Sequence, residues 1–343
     1  MIELDGAHGE GGGSILRQSL ALSILTKKPF RITQIRANRP SSGLKPQHLA
    51  SLQLAQKICN AKLLGAQLGS TEIEFYPGDL SSNEITYDIG SAGSITLALQ
   101  SIILPCLFFE KKIKLNLKGG TDVAWSTPID YFKEIYLPCI EDYGKLDCLV
   151  SKKGFYPKGG GLVSLSIQGL SLNKPFIRET PGKLIAIKCI LHTSKNFWKE
   201  ETPEKTTEII KMSFSELKIP ISINTLSSTS DDEGGSILFY ALFENPTIED
   251  KFIRTGYSEI FRDDRELTKV ISIYSNKLKT QITKNIPVDE YLTDQLIPFL
   301  GVVGGSIITE NISNHSLSNI YVTEKFCDKK FEIDILNNKI SCK

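Results

Sequence analysis

The chain has 343 residues, 41% of them hydrophobic and 23% charged, an ordinary globular composition with enough apolar residues for a real core. Its formal net charge of +1 excludes a global field that draws in nucleic acid, so a polyanion site has to be a local cluster of Arg and Lys. The seven cysteines (Cys59, Cys106, Cys139, Cys148, Cys189, Cys327, Cys342) are scattered, odd in number and without a CxxC pair, which argues against a disulfide framework or zinc site and for a reducing compartment.

Length alone predicts about two or three domains. The opening residues lack the basic and apolar regions of a signal peptide. The most apolar stretch, 95–109, is interrupted by Gln100, Ser101 and Pro105 and falls short of the ~20 residues of a membrane span. A soluble cytoplasmic protein is expected, or a nuclear one in a eukaryote.

In chain order, residues 1–77 read as strand (MIELD), Gly turn, helix 14–27, strand (FRITQIRA), helix 46–62 and two strands ending in TEIEFYP. Leu16, Leu20 and Ile24 give the first helix one apolar stripe. Ile73 and Phe75 alternate with acidic residues and suggest a half-buried edge strand. Residues 84–168 repeat the order: strand (EITYDIG), Gly/Ser turn, helix 92–109, strand (KIKLNLKGG), helix 128–143 and two strands ending in GLVSLSIQG. The pattern βαβαββ thus occurs twice, which suggests a duplicated unit. Residues 181–285 differ in character, being richer in charge, with strands KLIAIKCILHTS and SILFYALFE and helices 203–216 and 264–280. From 287 the earlier pattern returns: helix 288–300, strand GSIITE, helix 316–326, then KFEIDIL and KISCK. The expected organisation is a larger α/β domain, 1–180 with 286–343, holding a smaller inserted α/β domain, 181–285.

Several stretches carry chemistry. HGEGGGSILR (8–17) is a Gly-rich turn entering a helix, with bare N–H groups and a positive helix end suited to phosphate. Glu10 within it would repel phosphate unless a divalent cation sits between them, and Arg17 can reach the same anion. IRANRPSSGLKPQHL (35–49) sets Arg36, Arg39 and Lys45 around a loop, followed by Gln47 and His48 at a helix start. IGSAGSITLALQ (89–100) repeats the turn-then-helix design and ends in Gln100, an amide on an apolar face that needs a partner. GGTDVAWSTP (119–128) and GFYPKGGG (154–161, with Lys158) are two more glycine-rich turns. EYLTDQLIPF (290–299) holds Asp294 and Gln295 in an otherwise apolar helix, where unpaired polar groups are costly. SNHSLSNI (313–320) places His315 at a helix start, where Ser313 and Asn319 can cap the helix and orient an imidazole. Of the four histidines (His8, His48, His192, His315), His192 alone lies outside such turns and reads as structural.

Taken together and in this order, HGEGGGSILR, RANRPSSGLKPQHL, GSAGSITLALQ, GFYPKGGG, YLTDQL and NHSLSNI resemble the RNA 3′-terminal phosphate cyclase family along nearly the whole chain. The resemblance implies a large domain of three βαβαββ repeats with a smaller inserted α/β domain. It implies an enzyme of ligase type that uses ATP and a divalent metal (Mg²⁺ or Mn²⁺) to turn an RNA 3′-phosphate into a 2′,3′-cyclic phosphate. His315 matches the family's nucleophile, which forms a histidyl-AMP. Gln100 and the run Tyr291, Leu292, Thr293, Asp294, Gln295 match its ATP site. Glu10 matches its metal residue, and Arg17, Arg36, Arg39, Gln47 and His48 match its phosphate and RNA residues. The implied partner is RNA with a 3′-terminal phosphate; a homodimer is left open.

The chain departs from the pattern at Ser14, where the family usually has Gln. The family also includes cyclase-like proteins of ribosome assembly that keep the fold without the histidine; His315, Asp294 and Gln295 favour the enzyme over such a scaffold. An enolpyruvyl transferase, built from similar repeats, would need no histidine at that position. The chemistry suits the residues: a neutral imidazole, reference pKa ~6.5, needs no strong base to become a nucleophile. Displacement at phosphorus then rests on charge neutralisation by metal and arginines.

Overall fold

The computed structural model describes residues 1–81, 84–170, 174–249 and 251–343. Three of its four-stranded sheets share one topology. In the first, Ile2–Asp5 runs parallel to Phe30–Thr33, which pairs antiparallel with Ile73–Tyr76, and Lys62–Leu64 forms the far edge. Glu84–Asp88, Ile113–Gly119, Gly161–Gly169 and Gly144–Lys152 repeat that order. The third sheet joins distant pieces: Phe176–Arg178 lies parallel to Gly305–Ile308, followed by Lys339–Cys342 and Phe331–Asp334. The molecule is therefore α/β, with three βαβαββ units, the third interrupted after its first strand.

The interruption carries the fourth sheet, in the order Ile221–Ser228, Lys183–Ser194, Gly235–Glu244, Phe252–Phe261. Helices Pro203–Phe214 and Leu267–Thr283 supply Ile210, Phe214, Ile271 and Leu278 to its separate core. The other three sheets share one continuous core. Helix Gly13–Thr26 lies at its centre, against helices Pro46–Cys59, Ile95–Gln100, Ile103–Leu107 and Asn314–Phe326. Burying each of Leu16, Leu20 and Ile24 there contributes about 1.5–3 kcal/mol.

Several elements differ from the sequence expectation, each for a physical reason. Helix Gly13–Thr26 is buried on nearly every side rather than along one stripe, because helices pack around it; Ser19 and Ser23 donate to the carbonyls of Ile15 and Lys28. Ile73–Tyr76 is an interior strand, since alternation reports one solvated face, not an unpaired edge. The expected helix 92–109 is two, Ile95–Gln100 and Ile103–Leu107, because the ring of Pro105 would collide with the carbonyl of Ser101. Helix 128–143 becomes Ile129–Tyr131, a π turn Phe132–Tyr136, Leu137–Cys139 and a 3₁₀ turn Glu141–Tyr143; Pro138 has no N–H to give, and the wider turn accommodates it. Strands Phe176–Arg178, Ile221–Ser228 and Phe252–Phe261 add to the expected set; the first has three residues, the second is largely polar, and the third carries Gly256 in its middle.

A buried charge cluster within the second unit faces His192 of the inserted sheet. Lys153 Nζ lies 3.1 Å from Asp122 and 2.8 Å from Asp130, and His192 Nδ1 lies 3.5 Å from Asp130. Burial alone would raise the Asp130 carboxyl, but Lys153 and His192 outweigh it and hold it below the usual range. All seven cysteines are unpaired. Among the described residues no helix is long and apolar enough to cross a membrane.

Candidate functional site

The central helix begins at Gly13 with Gly12 as N-cap and no side-chain cap, so its first N–H groups are open to an anion. The absence of side chains is required there. A Cβ on Gly13 would lie 2.5 Å from His48 Nε2 and 2.9 Å from Arg17 Nη1; one on Gly12 would lie 3.3 Å from Arg39 Nη2 and 3.6 Å from His315 Cε1. Arg17, Arg39, His48 and His315 therefore converge on the bare start of one helix.

Each of these side chains is placed by a different element. Arg17, one turn into the helix, donates from Nε to Gln100 Oε1 at 3.2 Å, the partner the Gln100 amide required. Burial pulls the Arg17 guanidinium down to about 10, and no carboxylate offsets it. Arg36 sits in a left-handed turn (φ 58) and donates to the Ser41 carbonyl; burial, then Arg39, lower it. His48 is buried and accepts from the Lys45 N–H at Nδ1, 3.0 Å. Burial, reinforced by Arg17, Arg36 and Lys45, pushes its pKa down to about 3. The neutral ring thus carries its proton on Nε2, as a donor toward Gly13.

Glu10 is the acidic member. Its Oε2 accepts from Arg39 Nη2 at 2.9 Å and lies 3.1 Å from His315 Nε2. Here the structure corrects the expected support of the imidazole: the contact comes from Glu10, across the site, not from Ser313 and Asn319. Those two act on the helix instead. Ser313 Oγ accepts from the Ser316 N–H and donates to Asp294 Oδ1 at 3.0 Å, Ser316 Oγ donates to the same oxygen at 2.6 Å, and Asn319 Nδ2 donates to the Asp294 carbonyl. Asp294 clamps the start of Asn314–Phe326 and so fixes where His315 stands. Burial raises its carboxyl, opposed by Ser316, His315 and Ser313.

The rest of the 291–295 run faces inward. Leu292 and Thr293 are buried, Gln295 Nε2 donates to the Tyr291 carbonyl, and Tyr291 meets Tyr131 edge-on. Gln47 is half-buried beside His48, and Lys45 bonds to Ser41 and the Ser42 carbonyl. Lys158 lies away from the cluster, paired with Asp232. Two further residues matter. Ser316, three residues after the N-cap Ser313, completes the Asp294 clamp; the S-x-x-S spacing at a helix start was the signal. His8 stacks on Tyr321 at 3.9 Å and ties the glycine turn to the His315 helix.

Some buried polar atoms on the elements that build this site lack partners. Ser14 Oγ, Arg39 Nε, Gln295 Oε1 and Asn319 Oδ1 have no hydrogen-bond partner among the described residues. A wider cleft of about 670 Å³ opens at the third sheet, but its Lys339 and Lys343 are already paired with Glu179 and Glu332. Among the described residues no three His, Cys, Asp or Glu gather to hold a metal.

A family model described as RNA 3′-terminal phosphate cyclase matches residues 8–333. A Pyrococcus furiosus protein named RNA 3′-terminal phosphate cyclase is 36% identical over 334 residues, 97% of this chain and 95% of that protein. Proteins of the same name from Pyrococcus abyssi and Methanosarcina barkeri are 35% and 37% identical, each over 97% of this chain, and over 95% and 97% of their own lengths.

Proposed function

The chain belongs to the RNA 3′-terminal phosphate cyclase family, and from that membership we propose that it converts an RNA 3′-phosphate into a 2′,3′-cyclic phosphate at the expense of ATP, with His315 as nucleophile. The observation that carries the reading is His315 Nε2 standing 3.1 Å from Glu10, beside Arg39, at the uncapped start of Gly13–Thr26. A nitrogen of His315 attacks the α-phosphorus of ATP; the P–N bond forms, the bond to the β-phosphate oxygen breaks, and pyrophosphate leaves. The RNA 3′-phosphate oxygen then displaces the imidazole and takes the AMP. Attack by the adjacent 2′-OH on the RNA phosphorus closes the ring, releases AMP and gives up one proton.

Both displacements accumulate negative charge on phosphoryl oxygens. Arg17, Arg36, Arg39, the His48 Nε2–H and the open helix N–H groups are aimed where that charge gathers. By the family resemblance Gln100, Tyr291 and Gln295 would take the nucleotide, and of these Gln100 is bonded to Arg17 in the cluster. Glu10 would hold a divalent cation, which supplies neutralisation of the triphosphate. The unpaired cysteines suit a cytoplasmic location.

The test is conversion of 3′-phosphorylated RNA to a cyclic end in the presence of ATP and metal. Asn copies the hydrogen bonds of histidine but forms no phosphoramidate, so His315→Asn should fold and bind ATP yet give no cyclic product. Full cyclisation by that variant would remove His315 from the mechanism. A wild-type protein inert under every metal would move the chain to the assembly-scaffold class.

A further inference from the structure

We propose that Trp125 is a stacking platform for a base of the RNA, upstream of the reacting 3′ end; this rests on the reading that the chain acts on RNA. Trp125 is 97% exposed, more than any other large hydrophobic side chain described. It also holds a left-handed backbone, φ 61, which is uncommon for a bulky aromatic residue. Tyr156, also exposed, is covered by Arg262 at 4.7 Å, whereas among the described residues nothing covers the indole.

The loop that presents Trp125 is anchored on both sides. The Ile129 N–H donates to the Thr121 carbonyl at 2.9 Å, closing the loop at its base. Thr121 and Asp122 donate to the Gly154 carbonyl, and Asp122 is buried against Lys153. Ser126 Oγ donates to the Val123 carbonyl across the tip. A loop so held does not expose its largest apolar side chain through slackness.

Position argues for RNA as the occupant. Thr96 Oγ1 donates to the Thr127 carbonyl, two residues from Trp125. Thr96 and Gln100 are on the same short helix, about 6 Å apart along its axis. Gln100 in turn binds Arg17 in the phosphate cluster. The loop that carries the indole thus stands one short helix away from the charged cluster, within reach of a strand whose 3′ end is held there. An indole 97% exposed and without a polar contact among the described residues suits sequence-tolerant stacking of an unpaired base. It does not suit a nucleotide pocket, which encloses its base.

The chain has two tryptophans, so Trp198→Phe leaves Trp125 as the single indole fluorophore. In that background a short 3′-phosphorylated oligouridylate, added without ATP, should quench the fluorescence saturably, while ATP alone should not. Trp125→Ala should raise the KM for this RNA by roughly ten-fold or more, with label uptake from ATP as the control for an intact nucleotide site. Trp125→Phe should restore most of the lost affinity. Trp125→Gly, which the φ 61 backbone accepts, should match the alanine variant and exclude strain as the cause. An unchanged RNA KM in the alanine and glycine variants, with RNA still cyclised, would overturn the platform and leave the cyclase reading standing. Quenching by ATP alone would give the indole to adenine and overturn it too. Failure of the wild type to bind any RNA would sink both.

Discussion

Two clusters in this molecule use nearly the same residue types and handle charge in opposite ways. At the junction of the second unit with the inserted sheet, Lys153 is enclosed by Asp122 and Asp130, with His192 behind. At the start of Gly13–Thr26, Arg17 and Arg36 have no carboxylate partner among the described residues, and Arg39 shares Glu10 with His315. A closed cluster balances its own charge within one unit of the fold. An open one leaves half-buried cations short of an anion, which an anion from outside can supply.

The largest effect that tests this contrast is on stability. Lys153→Met removes the lysine cation that Asp122 and Asp130 share, leaving them only Thr121 and His192, and should cost about 3–5 kcal/mol, read as a fall in the urea midpoint. An unchanged midpoint would mean the cluster adds nothing to stability. Arg17→Ala should do the reverse: little change in urea midpoint, because no partner is orphaned except the Gln100 amide, but turnover of 3′-phosphorylated RNA lower by about 100-fold, the scale of one preorganised donor. If Arg17→Ala unfolds the protein as Lys153→Met does, the distinction between open and closed clusters collapses.

A smaller effect follows from His48, whose folded pKa of about 3 lies below its unfolded value. Below pH ~6.5 the unfolded chain takes up a proton that the folded chain refuses. Stability from this group is therefore full above that pH and is lost as pH falls toward the folded value, at about 1.4 kcal/mol per pH unit. His48→Gln should remove that slope from urea midpoints measured between pH 6.5 and 4; parallel wild-type and variant curves would contradict the burial of a neutral imidazole. Smallest is Glu10→Gln, which keeps the shape but not the charge. It should raise the metal concentration for half-maximal labelling several-fold, and superimposable metal titrations would reduce Glu10 to an Arg39 and His315 contact.

Local patterns were legible in the sequence where period and turn chemistry decide them. The repeated order of strands and helices, and the glycine turn entering helix 13–26, follow from alternation, 3.6-residue spacing and Gly placement. Breaks set by one ring, at Pro105 and Pro138, were not, since a proline inside an apolar run reads as tolerated until its neighbours are placed. The strand Phe176–Arg178 pairs with residues more than a hundred positions away and carries no local signal. The site followed the same rule. Each residue stood in a recognisable turn, and the resemblance grouped them, but no spacing could show that Gln100 answers Arg17 across two units or that Glu10 meets His315. Those contacts exist only once the helices pack around Gly13–Thr26.

The central claim is that His315, at this open cluster, becomes covalently bound to AMP. Its most direct test is incubation with metal and ATP labelled at the α-phosphate, without RNA, followed by mapping of the label to a peptide. The account predicts one labelled peptide containing His315, with a bond labile to acid and stable to alkali. Label of that stability on His48 or a lysine, with His315 unmodified, would contradict it.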